Sequence, residues 1–198
     1  MMVKICGITN REDAGVAVEA GAGALGFNFY PKSPRYVTPE RAAELARDVP
    51  VGVLKVGVFV NERAGVIRDI VQRVPLDVAQ LHGACDAPEG ARIWRALAVG
   101  EDFDPAVIES QAAEAFLLDA PAGKRYGGTG RTFDWERVKG LAGRIILAGG
   151  LGADNVAEAI RAVRPWGVDA CSRLESEPGR KDPVKVREFV REALGVTF

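Results

Sequence analysis

The feature that most constrains the fold of this chain is a strict alternation of short apolar runs with helix-type segments. About eight such units follow one another at a mean period of about 25 residues. Alternation of this kind, with strands apolar nearly throughout, indicates a parallel sheet that is buried on both faces. Eight units favour a closed α/β barrel with outer helices. An open doubly wound sheet is the alternative, but it usually has a glycine fingerprint after its first strand, where Gly7 stands alone.

Several of the expected elements are weaker than the rest. Between the fourth and fifth strands we expect a weak helix over Ala87–Ala91, and after the sixth strand a helix from about Asp134 to Lys139. The stretch Glu175–Lys181 is expected to be a loop that precedes a closing helix over Asp182–Leu194. No linker or low-complexity tract interrupts the pattern, so we expect one domain over residues 1–198.

Composition excludes several classes of protein. The chain has 198 residues, 47% of them hydrophobic, and a formal net charge of -1, and it shows neither a basic patch for nucleic acid nor an acidic tail. No apolar run approaches the roughly 20 residues of a membrane span, and a strand begins where a signal peptide would lie. We therefore expect a cytoplasmic protein without nucleic-acid or membrane partners.

Cysteine and histidine are too few and too far apart for a metal or disulfide framework. The three cysteines are Cys6, Cys85 and Cys171, and the one histidine is His82. No pair has the spacing of metal ligands, and the wide gaps do not suggest a set of disulfides. We expect no metal site.

In a barrel the carboxyl ends of all strands meet on one face, so residues at those ends become neighbours. Cys6 ends the first strand and Asp119 the sixth. A strand cysteine is more often a packing residue, and as a base it would need a lowered thiol pKa. An aspartate at a strand end can simply cap a turn, but partial burial would raise its pKa and make it a general acid. Both interpretations stay open at this point.

The remaining candidate site residues belong to two glycine-rich turns or are the single side chains Arg35 and His82. Gly149 and Gly150 follow the seventh strand, where such barrels bind phosphate, although a tight turn would look the same. The stretch Gly127-Gly128-Thr129-Gly130 after the sixth strand predicts a lid or a phosphate contact through Gly128 and Gly130. Arg35 could bind a carboxylate or be an ordinary surface residue, and His82 could equally be structural.

Taken together, these residues resemble the phosphoribosylanthranilate isomerase family of tryptophan biosynthesis. The matching blocks run in order along the whole chain: Lys4-Ile5-Cys6-Gly7-Ile8-Thr9, Phe29-Tyr30-Pro31-Lys32-Ser33-Pro34-Arg35-Tyr36, Gly57-Val58-Phe59-Val60-Asn61, Gln80-Leu81-His82-Gly83, Leu118-Asp119, Gly127-Gly128-Thr129-Gly130, Phe133-Asp134-Trp135, Leu147-Ala148-Gly149-Gly150-Leu151, Gly167-Val168-Asp169 and Glu175 through Asp182.

The resemblance implies a TIM barrel that carries out a cofactor-free Amadori rearrangement of N-(5-phosphoribosyl)anthranilate. On that pattern Asp119 is the general acid, Cys6 the general base, and Arg35 the ligand of the anthranilate carboxylate. The phosphate would be bound by the glycines after strands six and seven and by the loop after strand eight, through Gly128, Gly130, Gly149, Gly150, Cys171 and Ser172. The resemblance also implies a monomer or a homodimer.

One loop departs from the family pattern. After Asp169 the family usually has two serines and a glycine, whereas this chain has Cys171, Ser172 and Arg173. If the glycine has positive φ, we expect Arg173 to be strained by about 1 kcal/mol. Arg173 could instead add a cation beside the phosphate. The departure puts the phosphate contacts in question rather than the acid–base pair.

Two other functions remain alternatives. One is another phosphosugar barrel, such as the aldose–ketose isomerase of histidine synthesis or a pentose-phosphate epimerase. The former would be expected to use two aspartates and the latter a metal bound by histidines, which Cys6 and the lone His82 disfavour. The second is a catalytically silent barrel that binds a phosphometabolite or a protein.

Overall fold

A computed structural model of the chain describes residues 1–121 and 132–197. Eight parallel strands close into a barrel in chain order, with β8 paired to β1. The strands are β1 Met2–Cys6, β2 Ala24–Asn28, β3 Leu54–Val60, β4 Val78–His82, β5 Ile93–Ala98, β6 Ala115–Asp119, β7 Ile145–Leu147 and β8 Gly167–Ala170. The (β/α)8 barrel predicted from the sequence is confirmed.

Helices cover the outside of this barrel. Six α-helices lie within the described ranges: α1 Arg11–Ala20, α2 Pro39–Arg47, α3 Ala64–Arg73, α4 Ala106–Ser110, α5 Val156–Val163 and α6 Pro183–Leu194. Local sequence fixes where they begin, because Asn10 and Thr38 accept hydrogen bonds from the first turns of α1 and α2 and Pro39 occupies the first position of α2. None of the helices described here is long and apolar enough to cross a membrane.

Alternation along each strand produces two separate cores. Outward-facing residues such as Ile5, Leu25 and Phe27 pack between the sheet and the helices. Inward-facing residues fill the lower part of the barrel with a smaller apolar cluster that includes Val56, Trp94 and Leu117, whereas the upper part, at the carboxyl ends of the strands, has polar side chains. The apolar cluster therefore fills one end of the barrel, and the polar side chains of the cavity lie at the other end.

Three local expectations are corrected. The predicted helix over Ala87–Ala91 is wrong: this segment is irregular and turn-like, because Pro88 supplies no donor and Gly90 takes a φ of 79°. The helix expected over Asp134–Lys139 is a single 3₁₀ turn, Trp135–Val138. The loop after β8 contains a two-stranded antiparallel hairpin, β9 Glu175–Glu177 and β10 Arg180–Lys181.

Candidate active site

Cys6 is the last residue of β1, and its side chain lines a cavity at the carboxyl end of the barrel, the first cavity, which opens to solvent. The residue is 9% exposed. Gly7 follows with a φ of 75°, and a Cβ there would lie 2.7 Å from Cδ of Arg35. A glycine is therefore needed for both the turn and the close approach of the Arg35 side chain. The predicted site cysteine and arginine lie in the same cavity wall.

Asp119 is the last residue of β6 and lines the same cavity. Its Oδ1 accepts a hydrogen bond of 2.8 Å from the backbone N–H of Ala120. Burial raises the pKa of Asp119 to about 6, and the nearby Cys6 adds to the rise, while the Ala120 N–H and Lys4 oppose it. Gly149 allows the loop after β7 to come this close, since a Cβ at its position would lie 3.0 Å from Asp119 Oδ1.

The thiol of Cys6 lies in a cationic environment. A hydrogen bond with the Cys171 thiol lowers the pKa of Cys6 well below its usual range, and Lys4 and Lys181 lower it further against the effect of burial. Lys4 belongs to the same inward face of β1, and its ammonium donates a 2.9 Å hydrogen bond to Asp169 on β8. This charge distribution favours a thiolate at position 6.

Arg35 is held in place by a buried carboxylate. Its Nε and Nη2 donate to the two oxygens of Glu175 at 2.8 and 2.7 Å, and Lys181 Nζ donates to Oε1 of the same residue at 3.0 Å. Burial alone would raise the pKa of Glu175, but Arg35 and Lys181 hold it below its usual range. The bidentate pair fixes the plane of the guanidinium beside the cavity.

A second cavity adjoins the first and shares Asp119, Asp169 and Cys171 with it. Four of the predicted phosphate-binding residues line it: Gly149, Gly150, Cys171 and Ser172. The loop after β7 is fixed by Asn155, whose Nδ2 donates to the Gly150 carbonyl at 3.0 Å. The other two candidates, Gly128 and Gly130, lie outside the described residues.

Arg173 does not carry the strain expected from the sequence. It belongs to a short 3₁₀ turn, Ser172–Leu174, and the two non-glycine residues with positive φ in the described ranges are elsewhere in the chain. Its guanidinium donates to the Gly150 carbonyl at 3.1 Å and to Asp154 at 2.8 Å. The side chain thus connects the loops after β7 and β8 at the wall of the second cavity.

His82 is a neutral residue of the first cavity. Burial, with a smaller contribution from Lys4, lowers its pKa to about 4, so the ring carries no charge near pH 7. Its Nε2 lies 2.8 Å from Nε2 of Gln80. The residues described contain no group of three or more histidine, cysteine or carboxylate side chains placed to bind a metal ion.

Sequence reasoning did not single out four charged residues of this end of the barrel: Lys4, Asp169, Glu175 and Lys181. One signal was available, because Lys4 and Cys6 are two residues apart in a strand and must share the inward face. A lysine at a fully buried barrel position needs an anionic partner, and Asp169 supplies it. Nothing comparable in the sequence indicates that Glu175 pairs with Arg35.

Comparison with known proteins agrees with this geometry. The family described as N-(5'phosphoribosyl)anthranilate (PRA) isomerase matches residues 3–192. An N-(5'-phosphoribosyl)anthranilate isomerase of Solibacter usitatus is 51% identical over 196 residues, covering 98% of this chain and 97% of the relative. The crystal structure of the Thermotoga maritima phosphoribosyl anthranilate isomerase has a TM-score of 0.89 at 39% identity, covering 99% of this chain and 100% of that one.

A further solved relative carries a ligand. It is a phosphoribosyl anthranilate isomerase in complex with reduced 1-(o-carboxyphenylamino)-1-deoxyribulose 5-phosphate, with a TM-score of 0.86 at 37% identity, covering 99% of this chain and 100% of that chain. The family match over nearly the whole chain, the half-identical relative and the shared barrel all lead to one conclusion. The chain belongs to the phosphoribosylanthranilate isomerase family of enzymes.

Proposed function

We propose that this enzyme converts N-(5'-phosphoribosyl)anthranilate to 1-(o-carboxyphenylamino)-1-deoxyribulose 5-phosphate in tryptophan biosynthesis, by acid–base catalysis without a cofactor. The observation that carries the mechanism is the presence of Cys6 and Asp119 in one cavity, each with the pKa shift its role requires. Thiol and carboxyl groups are placed on β1 and β6, so they approach a bound sugar from different parts of the barrel rim.

A count of charges at the barrel mouth supports these protonation states. Among the described residues, three cations and five acidic groups meet there: Lys4, Arg35, Lys181, Cys6, Cys171, Asp119, Asp169 and Glu175. Neutrality in a buried site requires two of the five acids to keep their protons, and one of these is Cys171, whose pKa is raised by its hydrogen bond to Cys6 and by burial. Burial raises the pKa of Asp169 to about 7 and that of Asp119 to about 6, but Asp169 and Glu175 have ion-pair partners, whereas Asp119 accepts its hydrogen bond from a backbone N–H. We therefore assign the transferred proton to Asp119, which is partly protonated near its pKa of about 6.

The reaction then follows from these two groups. Asp119 donates its proton to the ring oxygen of the ribose as the bond between that oxygen and C1 breaks, which leaves a protonated imine. The iminium withdraws electrons from C2, so the Cys6 thiolate can remove the C2 proton and form an enolamine. Tautomerisation of the enolamine gives the ketone. An imine formed from the substrate serves as the electron sink, and no step needs a metal or an organic cofactor.

We assign the two anionic groups of the substrate to separate places in the two adjoining cavities. Glu175 occupies Nε and Nη2 of Arg35, so we assign Nη1 to the anthranilate carboxylate. The phosphate is assigned to the second cavity, where backbone N–H groups of Gly149, Gly150, Cys171 and Ser172 would bind it. The contribution of Gly128 and Gly130 stays a prediction, as do the cytoplasmic location and the monomeric or homodimeric state.

The experiment follows the loss of anthranilate fluorescence from freshly made substrate, with EDTA present, for wild type, Cys6→Ser and Asp119→Asn. Each variant is expected to lose about 10²- to 10⁴-fold in kcat, which is the usual contribution of one general acid or base. Cys85→Ser removes a buried thiol outside the cavity and Asp102→Asn an exposed charge, so both should keep their activity. An inactive wild type, or active Cys6 and Asp119 variants, would refute the proposal.

A further inference from the structure

Cys171 lies directly beside Cys6 in the barrel. Strands β1 and β8 pair in parallel with Lys4 opposite Asp169 and Ile5 opposite Ala170, so the next step of the register brings Cys6 opposite Cys171. Neighbouring strands lie about 4.8 Å apart, and disulfides span Cα separations of about 4.4–6.8 Å. The preceding inward pair, Lys4 and Asp169, already bonds across the two strands at 2.9 Å. Two thiols at this position are within bonding reach.

The surroundings of the two sulfurs differ in a way that suits thiol chemistry. Sγ of Cys171 lies 3.7 Å from Lys181 Nζ and 3.9 Å from Glu175 Oε1, so it has a carboxylate as well as a cation for a neighbour. Hydrogen bonding to Cys6 and burial raise the pKa of Cys171, whereas the same hydrogen bond lowers the pKa of Cys6. The pair thus consists of one thiolate nucleophile and one thiol.

Both sulfurs face a cavity rather than packed core. Cys6 and Cys171 line the first cavity together, and Cys171 is partly exposed. Cys85, in contrast, is buried outside it, with its Sγ donating to the His82 carbonyl and accepting from the Glu62 N–H. A small oxidant that enters the empty substrate site therefore meets the first two cysteines and not the third.

We propose that Cys6 and Cys171 are a peroxide-sensitive pair that closes to an intramolecular disulfide. The Cys6 thiolate attacks a hydroperoxide, its sulfur takes the terminal oxygen as the O–O bond breaks, and water or an alcohol leaves after protonation. The Cys171 sulfur then attacks the Cys6 sulfenic acid, the S–O bond breaks, and a second water leaves with the Cys171 proton. Each disulfide consumes one hydroperoxide. Its effect on activity rests on the proposed role of Cys6 as the base.

The test treats the reduced, full-length protein with hydrogen peroxide, blocks remaining thiols and digests with trypsin under non-reducing conditions. Cleavage after Lys4, Arg11, Arg161 and Arg173 releases residues 5–11 and 162–173, because the bond between Arg164 and Pro165 resists trypsin. We expect these two peptides joined, with a mass equal to their sum less two hydrogens, and residues 74–92 as a separate peptide in which Cys85 carries the blocking group. Dithiothreitol should separate them again.

Cys171→Ser is the matched variant, since it differs by one atom and removes the second thiol. Under the same treatment it should give Cys6 oxidised to the sulfinic acid and no joined peptides. In wild type the isomerase activity should fall in proportion to the joined fraction and return to the untreated value after dithiothreitol, each sample being compared with its own untreated control. Cys85→Ser should behave as wild type.

Several outcomes would overturn the inference: no joined peptides from protein that keeps its fold, joined peptides only between two chains, or activity that survives complete joining. The last result is informative only if reduced wild type is active. Joined peptides from a wild type without isomerase activity would instead support the thiol pair while refuting the proposed function. The peptide masses and the activity assay therefore separate the two claims.

Discussion

The raised pKa of Asp119 predicts the alkaline limb of the pH profile. In the proposed mechanism Asp119 acts in its protonated form, so kcat/KM should fall as pH rises through its pKa of about 6. With that value about 9% of the carboxyl is protonated at pH 7, against about 0.08% for an ordinary aspartic acid, a gain of about 115-fold. Above pH 6 we expect kcat/KM to fall by about tenfold per pH unit. The acid limb, set by Cys6 in the proposed mechanism, should lie well below the pKa of an ordinary thiol because the thiolate is stabilised.

The assay measures kcat/KM by anthranilate fluorescence from about pH 5 to about pH 8.5 at constant ionic strength, with two variants of Asp119. Asp119→Asn should lower the rate by about 10²-fold or more and flatten the alkaline limb, since the amide does not titrate. Asp119→Glu keeps a titrating carboxyl in the same place and should retain the limb. An alkaline midpoint near pH 4 in wild type, or a limb that persists unchanged in Asp119→Asn, would refute the reasoning.

Two further predictions concern the space and the charges around the site. Gly26→Ala would place a Cβ 2.8 Å from the sulfur of Cys6, so we expect at least a tenfold loss of kcat and a loss of about 1–3 kcal/mol in unfolding free energy. In Gly23→Ala the new Cβ would lie 3.7 Å from its nearest atom, so both losses should be smaller. Equal effects of the two variants in kinetic and urea-unfolding measurements would contradict this prediction. Glu175→Gln leaves its two cationic partners without their carboxylate and should lower the unfolding free energy by about 3–5 kcal/mol. The exposed neighbour variant, Glu177→Gln, should stay within about 0.5 kcal/mol in the same urea titration, and a similar loss in both would rule out the buried network as the cause.

The barrel and the shared location of Cys6 and Asp119 could be predicted because both depend on short-range pattern. Apolar runs at a regular period indicate parallel strands, and closure of eight strands brings their carboxyl ends together whatever the separation in sequence. Cys6 and Asp119 are 113 positions apart, yet each is the last residue of its strand. Position at a strand end was therefore enough to place the two side chains in one cavity.

The charge partners within the site could not be predicted in the same way. Arg35 and Glu175 are 140 residues apart, and Glu175 lies in a hairpin that the sequence indicated only as a loop. The path of that loop decides which carboxylate comes close to the Arg35 guanidinium. The apolar pattern of the sequence contains no information about this path. The helix expected over Ala87–Ala91 failed for a related reason, because local backbone preferences at Pro88 and Gly90 outweighed a weak apolar pattern.

The two departures in the loop after β8 have different consequences because they face different groups. Arg173 turns toward Asp154 and the Gly150 carbonyl, so its charge is compensated at the wall of the second cavity and the loop keeps an unstrained 3₁₀ turn. Cys171 continues the inward face of β8 and meets the proposed base. A serine hydroxyl there could donate the same hydrogen bond to a thiolate but could not form a bond to sulfur. If both proposals hold, the exchange of one oxygen for one sulfur leaves the acid–base arrangement intact while adding sensitivity to oxidation.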